Sequence, residues 1–218
     1  MESIRILLAL TCHLKFKLYQ IDVKTAFLNW FLREDVYVAQ PKGFIDPHFL
    51  DHVLYLRKTF YGLKQVPKAW YDRLTQYLVS HGFIRGKVDQ TLFIKREDDE
   101  MIVAHVYVDD IIFGSTKDEF AYSFSKLMQA EFEMSMIGEL NHFLGLQIHQ
   151  LGIFISQFKY VKNLVKKFGL DSASSVRTLM SPNIKLIVDL LGKCVDSSLY
   201  RSMIGSLLYL TASRPNIS

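Results

Sequence analysis

Two adjacent aspartates, Asp109 and Asp110, interrupt an otherwise apolar stretch that runs from Ile102 through Val103, Ala104, His105, Val106, Tyr107 and Val108 to Ile111, Ile112, Phe113 and Gly114. A carboxylate resists leaving water unless it is paired, hydrogen-bonded or bound to a cation. Strand-forming sequence on both sides of such a pair therefore suggests a hairpin whose turn presents the carboxylates to positive charge. A divalent metal is the natural candidate. Mg²⁺ prefers oxygen ligands and keeps waters and substrate phosphates in its shell, so one or two carboxylates per ion suffice. A partner carboxylate has to come from elsewhere, and Asp22 offers it. It stands late in an alternating stretch, Phe16 to Val23, in which Tyr19, Ile21 and Val23 share one face and Gln20 and Asp22 the other. The bland alternative stays open: Asp is a common turn residue, and either position could be a solvated turn or cap.

The elements around these residues are legible from periodicity. Ile4, Leu7 and Leu8 predict an amphipathic helix over the first dozen residues. Val36 to Val38 and Val53 to Tyr61 read as strands around the loop Gln40-Pro41-Lys42-Gly43-Phe44. Pro67 opens a helix whose stripe is Trp70, Leu74, Tyr77 and Leu78 and which Gly82 closes. Thr91 to Lys95 and Met101 to Tyr107 pair across the acidic run Glu97-Asp98-Asp99-Glu100, read as a solvated turn. Thr116 and Glu119 form a capping-box pattern before a helix carrying Phe120, Phe124, Leu127, Met128 and Phe132. His142 to His149 and Ile153 to Ile155 suggest a hairpin turning near Gly152. A lysine-rich helix follows, capped by Ser156, with Val161, Leu164, Val165 and Phe168 inward and Gly169 at its end. Residues 172–198 read as a linker, and the last helix carries Tyr200, Met203, Ile204, Leu207, Leu208 and Thr211.

The chain has 218 residues, half of them hydrophobic and 22% charged, enough for a full core and without the composition of a disordered or membrane protein. Its two cysteines make neither a disulfide framework nor a metal spacing, which favours a reducing compartment. The seven histidines show no ligand pattern, and a net charge of +4 is compatible with a polyanionic partner.

Four segments occur in an order that resembles one family. They are Gln20-Ile21-Asp22-Val23-Lys24-Thr25-Ala26-Phe27-Leu28-Asn29, Tyr61-Gly62-Leu63-Lys64-Gln65-Val66-Pro67-Lys68-Ala69-Trp70, Tyr107-Val108-Asp109-Asp110 and Phe143-Leu144-Gly145-Leu146. Together they resemble the reverse transcriptases (RNA-directed DNA polymerases) of copia-type LTR retrotransposons over nearly the whole chain. The resemblance implies an α+β fold, an antiparallel polymerase palm sheet with helices on one face over residues 1–156. A partial thumb-like or connection-like helical region would follow over 157–218. It implies that Asp22, Asp109 and Asp110 are catalytic and hold two Mg²⁺ ions, with Mn²⁺ as an alternative, the first two bridging both ions. Phe27 would gate the sugar, with Tyr107 and Gln65 beside the nucleotide. Gly62, Lys64 and Pro67 would lie along the template. Phe143, Leu144 and Gly145 would grip the primer, and Lys159, Lys162 and Lys166 would face duplex phosphates.

The implied partners are an RNA template, a DNA primer and deoxynucleoside triphosphates, with no membrane. The implied location is intracellular, in cytoplasmic particles, with the nucleus as the alternative. Relatives carry basic fingers residues before the first helix, and ribonuclease H and integrase parts, that this sequence is expected to lack. Trp30 stands where the family usually has glycine. Two other readings remain: a catalytically silent relict that binds nucleic acid, and an Asp-pair phosphoacceptor domain, which would require alternating βα units and a parallel sheet.

Overall fold

The computed structural model describes residues 2–24, 26, 31–59, 62–64, 66–150, 154–174, 192, 194–214 and 217, with only the backbone of Arg33. In chain order the elements are α1 (Glu2–Leu14), β1 (Leu18–Val23), β2 (Phe31–Ala39), β3 (Val53–Lys58), α2 (Val66–Ser80), β4 (Ile84–Arg85), β5 (Leu92–Glu97), β6 (Glu100–Tyr107), β7 (Asp110–Ser115) and α3 (Asp118–Glu131). After these come β8 (Met134–Glu139), β9 (His142–Phe143), β10 (Leu146–His149), β11 (Phe154–Ser156), α4 (Phe158–Lys167) and α5 (Ser197–Ser213). The fold is α+β with antiparallel sheets, as expected. That pairing removes the phosphoacceptor alternative, which needs parallel strands. Two compact units divide the chain, Leu7–Leu140 and Met1–Ile6 with Asn141–Ser218.

The first unit is built on a six-stranded sheet in the order β4-β5-β6-β7-β1-β8. Alternation decides its faces. Ile21 and Val23 of β1, Ile102, Ala104 and Val106 of β6, and Ile111 and Phe113 of β7 pack against Trp70, Leu74 and Leu78 of α2 and Ala121, Phe124 and Met128 of α3. Helix α2 ends where Gly82 takes φ +84°. There the Gly82 N–H donates to Val79 O and the Phe83 N–H to Leu78 O, satisfying carbonyls the helix leaves open.

The opposite face carries Leu18, Gln20 and Asp22 of β1 and Asp110, Ile112 and Gly114 of β7, in the register Leu18↔Gly114 and Asp22↔Asp110. Glycine at 114 is a steric requirement. A Cβ there would lie 2.5 Å from Lys17 O and 2.8 Å from the Phe16 ring. This close approach fixes where β1 starts against β7. Because side chains alternate with period two, a one-residue slip would carry Asp22 to the helix side.

Two local expectations need correction. Thr116 does not cap α3: the N-cap is Lys117, without a side-chain cap bond. The Thr116 hydroxyl instead donates to Glu100 and accepts from the Met101 N–H, tying the helix approach to β6. Nor is His142 to His149 one strand. It folds back on itself as β9 and β10, with Leu144 and Gly145 at φ +47° and +77°. The β8 and β4 strands were not anticipated. β8 completes the sheet beside β1. A separate two-stranded sheet, β2 with β3, leaves Phe31, Tyr37 and Tyr55 exposed.

In the second unit β9, β10 and β11 form a three-stranded sheet, and Phe143, Leu146 and Ile148 are buried. Gly169 ends α4 at φ +64°, with the Leu170 N–H donating to Val165 O. The inward stripes expected of α4 and α5 are shallow. No described residue of α4 is buried, and in α5 only Ser213 is, while Tyr200, Ile204, Leu207 and Leu208 are exposed. The expected turn at Gly152 and most of the expected linker lie outside the described residues. Among the described residues no helix is long and apolar enough to cross a membrane.

Candidate active site

Antiparallel pairing of β6 with β7 makes Tyr107 and Asp110 the closing pair of a hairpin and leaves Val108 and Asp109 as its two turn residues. Val108 has φ +60°. A left-handed φ at the first turn position alone matches the turn class that normally places glycine there. A β-branched residue in that region is strained by about 1–3 kcal/mol and persists only where the surroundings hold it. Two contacts do so. The buried Trp70 indole Nε1 of α2 donates to Val108 O at 2.8 Å, and the Val23 N–H of β1 donates to Asp109 O at 3.1 Å.

Register does the rest. Asp22 is the direct cross-strand partner of Asp110, on the face away from α2 and α3. Tyr107, 43% exposed, shares that face as the pair of Asp110. Asp22, Asp109 and Asp110 are all half-buried. The Asp110 carboxyl is pushed above its ordinary value chiefly by burial. The Gln20 amide, donating to its Oδ1 at 2.8 Å, pulls the other way, and the negative charges of Asp109 and Asp22 push it further up. Asp22 and Asp110 thus stand opposite one another across β1 and β7, with Asp109 in the adjoining turn.

These carboxylates suit a hard divalent cation: all donors are oxygen, and the mutual repulsion felt at Asp110 is what a cation would relieve. Their side chains do not yet converge. Among the described residues no three His, Cys, Asp or Glu side chains stand grouped as a metal cage, and one Asp110 oxygen is turned to Gln20.

Other expected site residues are more scattered. Gly62, at φ +98°, and Lys64 are exposed before α2, and Pro67 lies exposed in its first turn. In the second unit, Phe143 is buried and Leu144 and Gly145 form the β9–β10 turn, where the Tyr209 hydroxyl donates to Leu144 O. Lys159, Lys162 and Lys166 are exposed along α4. Phe27, Gln65 and Trp30 lie outside the described residues. Gln20 and Trp70 were missed as site residues. Gln20 was detectable as a same-face neighbour of Asp22. Trp70 gave no sign beyond being a buried aromatic with a polar edge. His105 is packed, with Nε2 3.3 Å from Asp89 Oδ2 and 3.2 Å from Thr91 Oγ1.

Residues 1–182 match the family described as reverse transcriptase (RNA-dependent DNA polymerase). The chain belongs to that family. It is 36% identical, over 99% of its length, to a retrovirus-related Pol polyprotein from transposon RE1 of Arabidopsis thaliana. It is 32% identical, over its whole length, to the corresponding polyprotein from transposon TNT 1-94 of Nicotiana tabacum. A putative transposon Ty5-1 protein of Saccharomyces cerevisiae is 30% identical over 91% of this chain and 66% of its own length. The chain spans only 15% and 17% of the two plant polyproteins. The copia-type resemblance read from the four segments is borne out: this is a reverse transcriptase domain of the kind found in retrotransposon Pol polyproteins. That family generally uses divalent metals.

Proposed function

We propose that this reverse transcriptase domain carries the nucleotidyl-transfer centre of an RNA-directed DNA polymerase, with residues 1–156 as its palm and residues 157–218 as a thumb-like or connection-like helical region. The observation that supports this reading best is the register that sets Asp22 opposite Asp110 beside a turn carrying Asp109. In the reaction the primer 3′ oxygen bonds to the α-phosphorus of a deoxynucleoside triphosphate, and the bond to the pyrophosphate oxygen breaks. Asp22, Asp109 and Asp110 would hold two Mg²⁺ ions, which supply charge neutralisation and a more acidic 3′ hydroxyl. The chain's own contribution is placement. The sheet fixes Asp22 and Asp110 on one face, the turn carries Asp109 beside them, and Tyr107, exposed on the same face, would contact the nucleotide. The roles of Phe27 and Gln65 toward the nucleotide, of Gly62, Lys64 and Pro67 toward the template, and of Phe143, Leu144, Gly145, Lys159, Lys162 and Lys166 toward primer and duplex belong to the same proposal. Preorganised charge and position, rather than a covalent intermediate, account for the catalysis.

Primer extension on an RNA template with Mg²⁺ and deoxynucleotides tests this. The wild-type chain should extend, and Asp109→Asn should reduce extension by roughly a hundredfold or more while leaving template–primer binding intact. Salt-dependent binding of template–primer by folded wild-type protein, without extension even after a relative's preceding fingers segment is joined to it, would establish the silent nucleic-acid binder instead.

A further inference from the structure

The indole N–H of Trp70 reaches from α2 to the carbonyl of Val108, the one turn residue between the apolar strands that stands in a left-handed conformation. Trp70 is 1% exposed, and its ring meets Phe132 edge-on at 5.2 Å and 82°. Phe132 in turn meets Tyr77 edge-on at 5.2 Å. The indole therefore has little freedom to turn its N–H elsewhere. Val108 itself is 52% exposed. A buried, orientationally fixed donor aimed at an exposed, strained turn is poorly explained as core packing, because an apolar ring would fill the same space.

We infer that Trp70 is a positioning residue: its N–H holds the Val108–Asp109 turn in its strained form and thereby keeps Asp109 and Asp110 in register with Asp22. The catalytic consequence rests on the polymerase reading, but the conformational one does not. Two features connect the turn to the carboxylates. The Val23 N–H donates to Asp109 O, so the turn is also the end of the β1–β7 pairing. Asp110, the first residue of β7, pairs with both Tyr107 and Asp22. If the turn relaxes, both pairings at Asp110 are released together. Valine makes the holding contact necessary, since glycine adopts φ near +60° without the steric penalty.

The test combines Trp70→Phe, Val108→Gly and the double variant in the full chain. Amide hydrogen exchange followed by NMR comes first, because it needs no catalysis. Trp70→Phe should speed exchange at the Val23 N–H by about three- to tenfold, the range for losing one hydrogen bond, while amides in the middle of β6 keep wild-type rates. In the Val108→Gly background the same substitution should change Val23 exchange by no more than about twofold. Phe132→Leu, which disturbs the ring contact but leaves the donor, controls for packing and should not single out Val23. Unchanged Val23 exchange in Trp70→Phe, equal acceleration at all amides, or the same selective effect from Phe132→Leu would overturn the inference.

Steady-state primer extension then reads the consequence. Trp70→Phe should lower kcat by about three- to tenfold with KM for the nucleotide changed less than about twofold, and Val108→Gly should blunt that loss. A wild-type chain that never extends would sink the polymerase reading while leaving the exchange result to stand. A wild-type chain that extends, with kcat unaffected by Trp70→Phe, would sink the positioning role alone.

Discussion

Strand β6 ends in an acidic two-residue turn at each side, and only one of the two is a candidate active site. At its start, Asp98 and Asp99 join β5 to β6, with Asp98 at φ +52°. At its end, Val108 and Asp109 join β6 to β7. The first turn uses a residue type that tolerates the left-handed region, is exposed, and has its flanking carboxylates answered by cations. Lys95 meets Glu97 at 2.6 Å and Lys117 meets Glu100 at 3.1 Å. The second uses a residue type that does not tolerate it. There a further strand, β1, brings a third carboxylate alongside. The pKa directions follow. Glu100 lies below its ordinary value because of the hydrogen bonds from Thr116 and Lys117, whereas Asp110 lies above its own because burial and like charges oppose ionisation. Acidity alone does not make a site. Carboxylates left half-buried near one another, without a cation partner among the described residues, are what leaves room for one from outside.

The largest expected contrast is catalytic. Asp109→Asn should lose roughly a hundredfold or more of primer extension, and Asp99→Asn, the corresponding change at the other turn, should alter it by less than about twofold. Comparable losses from both would end the distinction between the turns. Next comes Gly114→Ala, which puts a methyl against Lys17 O and the Phe16 ring. We expect it to cost about 1–3 kcal/mol in denaturant unfolding and to reduce extension as well, because it displaces β1 from the register that aligns Asp22 with Asp110. Wild-type stability would show that the register is set elsewhere.

The smallest effects concern pH, and their signs are opposite at the two ends of β6. Asp110 has a folded pKa above its ordinary 3.8. Its contribution is therefore fully present below that value and is lost as pH rises through the folded pKa. Asp110→Asn should remove that decline, so the variant gains relative stability toward neutral pH while losing activity. Glu100 is depressed below its ordinary 4.5. Its contribution is present above that value and is lost as pH falls through the folded one, so Glu100→Gln should flatten only the acid side. Urea midpoints between pH 3 and 7 for the two variants check both directions, and slopes of the same sign would contradict the burial argument.

Much of this was readable along the chain because it depends on near neighbours. The alternation of Tyr19, Ile21 and Val23 against Gln20 and Asp22, the Pro67 and Gly82 boundaries of α2, and the apolar runs around Asp109 and Asp110 each express a local period or a local backbone preference. So does the α+β character that they add up to. Where local rules competed with distant partners, the reading failed. The Thr116 hydroxyl suits a helix cap, but Glu100 and the Met101 N–H, brought near by the β6–β7 pairing, take it instead. The stretch from His142 to His149 alternates like one strand, but Leu144 and Gly145 reverse it, and the Tyr209 hydroxyl holds Leu144 O. The sequence by itself determined which carboxylates are available and which faces of their strands they occupy, since composition and period are properties of neighbours. Only the tertiary structure decided that Asp22 stands opposite Asp110, that Gln20 shares its oxygen, and that Trp70 holds the turn. Those relations join residues far apart in the chain, and register, close approach at Gly114 and the direction of one buried N–H exist only once the sheet and α2 have packed.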